Sequence, residues 1–106
     1  MDRCSFLETV GETPELKILD LLIEGEDFDY SLTDISNESG VSWVTVNKTA
    51  EKLEKENLII HTRRIGSAKL FRINKNNLRI KTMTSIHNKI CSARIDELLS
   101  EKDAEI

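Results

Sequence analysis

Between residues 31 and 57 the chain spells two helix starts eleven residues apart, with a glycine just before the second. Ser31-Leu32-Thr33-Asp34 fits a capping box, with Asp where Glu is common. It predicts a short helix to about Ser39 that buries Leu32 and Ile35. Gly40 supplies a tight turn, since glycine takes positive φ at little steric cost, and Val41 is expected beneath it. Ser42 is a second N-cap. The helix it opens runs from Trp43 to about Glu56, with Val46, Ala50 and Leu53 inward at i, i+4 and i+7. Asn57 suits a left-handed closing position.

The flanks fit a three-helix core with a hairpin. Thr13 reads as an N-cap, Pro14 as a first helical residue, and Glu15 as a complement to the helix dipole. Leu16, Leu19, Leu22 and Ile23 make the buried stripe, Ile18 and Leu21 broaden it, and Gly25 ends it. A short helix carrying Phe6, Leu7 and Val10 precedes it. Residues 26–30 read as a loop anchored by Phe28 or Tyr30. Residues 58–63 read as a strand, 65–68 as a turn, and 69–73 as a returning strand. Helical periodicity resumes after residues 74–77 for roughly 22–26 residues, with a polar, frayed tail from Glu101. The fold class is mainly α with a small β-hairpin, an α+β chain with a long C-terminal helix. The division expected is 1–12 as an N-terminal segment, 13–75 as the central domain and 76–106 as the C-terminal helix with its tail.

The formal charge of −4 hides a strong asymmetry. Residues 1–41 hold two bases and eleven acids, a balance of −9. Residues 42–81 hold ten bases and three acids, a balance of +7, and residues 82–106 return to −2. A polyanion responds to such a local patch rather than to the total, because the field fades over about 8 Å at physiological salt. Solvation of one face accounts for Lys48, Lys52 and Lys55. It accounts less well for Arg63, Arg64 and Lys69 around one turn.

The run from Leu32 to Ile60, with the turn Gly40-Val41-Ser42 and the exit Asn57-Leu58-Ile59, resembles the winged helix-turn-helix domains of MarR-like and ArsR-like regulators. In that family the exit is usually Gly-Leu-Ile, so Asn57 departs from the pattern. Arg63-Arg64-Ile65-Gly66-Ser67-Ala68-Lys69-Leu70-Phe71 resembles the family's basic wing. The likeness covers about Thr13 to Ile73. It implies a sequence-specific, double-stranded DNA-binding transcriptional regulator. The reading helix, about 43–56, would enter the major groove, and the wing, about 63–69, would meet the minor groove or backbone. Flanking helices form the dimer in such families, so a homodimer through the C-terminal helix is expected.

The residue types suit that task. Asn47 can bond adenine, Lys48 can donate to guanine, and Thr45 can touch a thymine methyl. Backbone N–H groups from Ser42 to Thr45 can meet a phosphate. Trp43 either packs on the preceding helix or wing, or contacts thymine methyls or the sugar-phosphate edge. Lys52 reads as a backbone-positioning or solvated charge. Arg63, Arg64 and Lys69, with Ser67 at the tip, suit a narrow minor groove, and Arg72 is a lesser candidate. The competing reading of the hairpin charges is an edge kept soluble.

Enzymatic activity is not expected: no phosphate loop and no nucleophile paired with a base is present. No cofactor and no metal are expected. His87 and Cys91 stand at i, i+4, but a site needs three or four ligands, so they read as a surface His and a buried Cys. Cys4 and Cys91, far apart, do not make a disulfide framework. With no apolar run long enough to span a bilayer and no secretory signal, a cytoplasmic protein is expected. The alternative function is a winged-helix protein-interaction module or an architectural or segregation module, favoured by the acidic N-terminal part.

Overall fold

The computed structural model describes residues 6–104, and the side chains of residues 6–99. The elements are α1 (Phe6–Val10), α2 (Pro14–Glu24), β1 (Tyr30–Ser31), α3 (Leu32–Ser39), α4 (Trp43–Lys55), β2 (Ile59–Ile65), β3 (Ala68–Ile73) and α5 (Leu78–Ala104).

The helix starts are fixed by side chains that accept otherwise unpaired amides. Thr13 Oγ1 accepts from the Leu16 amide at 3.2 Å. Ser31 Oγ accepts from the Asp34 amide at 3.1 Å, and Asp34 Oδ2 accepts from the Ser31 amide at 3.2 Å. The capping box is therefore closed in both directions. Gly40 follows α3 with φ 76°, and its amide donates to the Ser36 carbonyl at 3.0 Å. Ser36 Oγ crosses the same turn to donate to the Val41 carbonyl at 2.6 Å. Asn57 ends α4 in the left-handed region, φ 62°. Its carbonyl accepts from Asn74 Nδ2 at 2.8 Å and Asn77 Nδ2 at 3.1 Å. Asn77 also caps α5, accepting from the Arg79 amide at 2.8 Å.

The sheet has the order β1-β3-β2, and both pairings are antiparallel. Tyr30 lies opposite Phe71 and Ser31 opposite Leu70. Between β2 and β3 the register slips from His61–Phe71 to Arg63–Leu70. Thr62 is thus the extra residue of a bulge, which bends and twists the strand toward its tip. Ile18, Leu22 and Ile35 from α2 and α3, Val46 and Leu53 from α4, Ile59 and Ile73 from the sheet, and Ile80 from α5 make one apolar cluster. At about 25 cal/mol per Å² of apolar surface removed from water, this burial is the main force holding helices to sheet.

The structure corrects several expectations. Residues 26–30 end in a strand rather than a loop, because Tyr30 pairs with β3. Tyr30 packs on the core and covers Gly25, whereas Phe28 is 65% exposed and anchors nothing. The last helix has 27 residues and continues through Ala104, so Glu101 does not begin a frayed tail. His87 is no surface residue: it is 4% exposed and bonds Asp20 of α2 across 2.8 Å. Phe6 of α1 lies over its ring, centroids 4.9 Å apart. Cys91 is half-buried, and its sulfur is in a disulfide rather than a free thiol. Cys4 lies outside the described residues.

Candidate nucleic-acid interface

The outward face of α4 begins at the turn. Ser42 Oγ accepts from the Thr45 amide at 3.3 Å and donates to Thr45 Oγ1 at 3.0 Å. Ser42 and Thr45 therefore hold each other, and the cap occupies one amide that could have met a phosphate. The Trp43 and Val44 amides, first in the helix, have no acceptor within it. Trp43 is 49% exposed and Val44 61%. Asn47 and Lys48 are exposed, while Val46, Thr49, Ala50 and Leu53 are buried. The face proposed for reading is thus in solvent.

The hairpin tip turns at Gly66, φ 61°, between Ile65 and Ala68, which pair across it. Trp43 from α4 and Arg64, Ser67 and Lys69 from the hairpin line one concavity of about 390 Å³ with Leu32 and Thr33 of α3. Asn47 shares a neighbouring hollow with Lys69, and Glu51 and Glu54 lie farther along that hollow. Trp43, Asn47, Arg64, Ser67 and Lys69 are therefore brought together by the packing of α3 on α4 and β3, and of α4 on β2.

Other basic residues are engaged within the chain. Arg63 Nε donates to Asp29 Oδ2 at 2.9 Å and Arg63 Nη2 to Asp29 Oδ1 at 3.2 Å, a bidentate pair. Thr62 Oγ1 donates to the same Asp29 Oδ2 at 2.7 Å. These donors, the Arg63 hydrogen bond above all, hold the Asp29 carboxyl down at about 2, and the pair raises the Arg63 guanidinium above its ordinary value. Lys52 Nζ meets Glu15 at 3.1 Å, Lys75 meets Asp27 at 3.1 Å, and Arg79 meets Glu56 at 3.2 Å. Lys55 pairs with Glu51 at 3.4 Å. Arg72 stands half-buried on the sheet away from the concavity, its Nε buried without a hydrogen-bond partner among the described residues.

Among the described residues, Lys48, Arg64 and Lys69 are exposed cations with no ion pair, and they flank α4 and the wing tip. Charge counting could not separate these from Lys52 or Arg63. The pairing acids, Glu15 and Asp29, lie more than thirty residues away.

No protein-family model and no curated protein matches the chain. Solved structures do. A double mutant of Lactococcus lactis ZitR superposes with a TM-score of 0.61 at 16% identity, covering 81% of this chain and 60% of that one. Staphylococcus aureus MepR, a transcription regulator of the multidrug efflux pump MepA, matches with a TM-score of 0.63 at 17% identity, covering 88% and 70%. A ZitR mutant in complex with DNA matches at 0.57 and 17%, covering 77% and 57%. The chain has the winged helix-turn-helix fold. In the terms of that fold, α3, the Gly40 turn and α4 are the helix-turn-helix, and β2 with β3 is the wing. The chain spans about 60% of the length of these two ZitR structures. None of these three is named as an enzyme. Among the described residues no helix is long and apolar enough to cross a membrane.

Proposed function

We propose that this winged helix-turn-helix chain binds double-stranded DNA sequence-specifically and regulates transcription, with α4 in the major groove and the wing on the minor groove or backbone. Residues 13–75 form the binding unit in this reading. The observation that carries it is the unpaired cationic rim. Arg64 and Lys69 line a concavity together with Trp43, Asn47 lines the neighbouring hollow, and Lys48 is exposed next to Asn47 on α4. A helix of this width fits the major groove, and its first turns approach base edges. Asn47, exposed one turn into α4, is the reader of bases, with Thr45 and Lys48 beside it. Ser42 and Ser67 meet the backbone. Lys52, Arg63 and Arg72 are placed second, because each is occupied or turned from the concavity.

A homodimer through α5 completes the reading. Ile80, His87, Cys91 and Leu98 share one face of α5, at intervals of seven, four and seven. The face is buried at Ile80 and His87, but Leu98 is 49% exposed, with Ile95 at 57% and Leu99 at 56% beside it. An apolar stripe that outruns its own domain suits a second copy. Two-fold symmetry then sets the reading helices about 34 Å apart, one DNA turn.

The test is selection of bound duplexes from a random pool, followed by titration against salt. An enriched, two-fold-related motif and affinity that falls steeply with salt are expected, because phosphate contacts release counterions. Recovery of no motif, or salt-independent binding, overturns the proposal and favours a protein-interaction module.

A further inference from the structure

Two consecutive apolar side chains in solvent open the helix assigned to the major groove. Trp43 is 49% exposed and Val44 61%, at the first two positions of α4. Burial in the core explains Val46, two positions on, but not Val44. Helix propensity does not explain it either, since a β-branched residue loses rotamer freedom in a helix. Single exposed apolar residues are ordinary. This one, however, stands on the surface that the free charges of Lys48, Arg64 and Lys69 make attractive to a polyanion. We propose, on the DNA-binding reading above, that Val44 is a specificity-determining residue that recognises the 5-methyl group of a thymine in the major groove.

Position supports the assignment first. Helical side chains lean toward the helix N-terminus, so Val44 overhangs the leading turn of α4, the part of a reading helix that approaches base edges. No acid lies in that turn to repel the strand. The neighbours of Val44 are committed elsewhere. Trp43 lines the concavity with Arg64, Ser67 and Lys69 of the wing, so its indole suits the sugar-phosphate edge between helix and hairpin. Thr45 Oγ1 accepts from Ser42 Oγ at 3.0 Å, which ties the Thr45 side chain to the cap. Val44 is the methyl-bearing group of the turn with no polar tether. The base pair completes the case. Thymine carries a methyl in the major groove, and its partner adenine offers N6 and N7 there. Asn47, exposed three positions on, matches that adenine edge, and residues at i and i+3 are neighbours on a helix surface. Val44 and Asn47 together present an apolar group and an amide, the pair of contacts that an A·T pair or step accepts.

The experiment uses the full chain and a duplex bearing its enriched motif, with each thymine replaced in turn by deoxyuridine. That change removes the methyl and leaves base pairing intact. At least one replacement should weaken binding about fourfold, the effect of uncovering one methyl. Val44→Ala, at an exposed helical position, should melt as the parent does and bind the thymine and uracil duplexes alike. Thr45→Ser should keep the parent's preference for thymine. No uracil-sensitive position, equal sensitivity in Val44→Ala, or a preference lost in Thr45→Ser overturns the assignment. A chain that binds no duplex at all sinks the DNA-binding reading itself, and the role of Val44 with it, so the two failures are told apart.

Discussion

Asp29 is the residue on which the wing turns. It sits on the loop before β1 and receives Arg63 and Thr62 from the bulge of β2. Because the folded carboxyl titrates at about 2 rather than at its ordinary 3.8, its stabilisation is complete above about 4 and is lost as pH falls through about 2. Asp29→Asn should therefore unfold at a lower temperature than the parent near neutral pH, and the gap should close between pH 4 and 2. Melting curves across that range check it; a gap constant down to pH 2 would remove the assignment. The same pair ranks the wing arginines. Arg63 is committed to Asp29, whereas Arg64 lines the concavity beside Trp43. Arg64→Ala should cost DNA affinity and, with two copies bound, lower the slope of log affinity against log salt by about 2. Arg63→Ala should act more through stability. Anisotropy titrations at several salt concentrations, set beside melting curves, separate the two. Equal salt slopes for Arg64→Ala and the parent would count against the wing's role.

At the scale of elements, legibility in the sequence followed locality. Thr13, Ser31, Ser42, Gly40 and Asn57 all do what their types suggest, because a cap or a left-handed residue acts within four positions of itself. The buried stripes of α2 and α4 were legible for the same reason. What was not legible depends on distant partners. Tyr30 becomes a strand only because β3 runs beside it. His87 was read as exposed because periodicity places it on a helix without saying what α2 sets opposite; there Asp20 satisfies it. The acids that occupy Lys52 and Arg63 were hidden likewise, so the cationic patch was legible and its usable half was not. The turn allows a direct check. Gly40 has open space where a Cβ would stand, but a left-handed φ of 76°. Gly40→Ala should therefore lower stability by about 1 kcal/mol through backbone strain alone, with Gly40→Asn nearer the parent. Urea unfolding measures both. Equal stability of Ala and Gly here would show the turn relaxing out of that conformation.

For the whole molecule, the decisive geometry is that α5 leaves the domain it helps to close. Its first turns bury Ile80 in the core and set His87 against Asp20. A helix of 27 residues is about 40 Å long, and the described molecule extends 56 Å by only 27 and 21 Å. Beyond Cys91 the helix projects Ile95, Leu98 and Leu99 into solvent. About half of each such side chain is left to cover, worth roughly 0.7–1.5 kcal/mol, so three on each of two copies offer about 4–9 kcal/mol, comparable with the association cost of about 4–15 kcal/mol. The parent should accordingly sediment as a dimer at micromolar concentration. The double variant Ile95→Glu with Leu98→Glu places four carboxylates in the shared face and should sediment as a monomer. Its core is untouched, since neither residue is buried, and its melting should remain cooperative. A monomer carries one reading helix and half the phosphate contacts, so its affinity for a two-fold site should fall while its binding to a half-site persists. Sedimentation of the variant as a dimer would place the association surface elsewhere. A monomeric parent that still selects a two-fold motif would mean that pairing is assembled on the DNA itself.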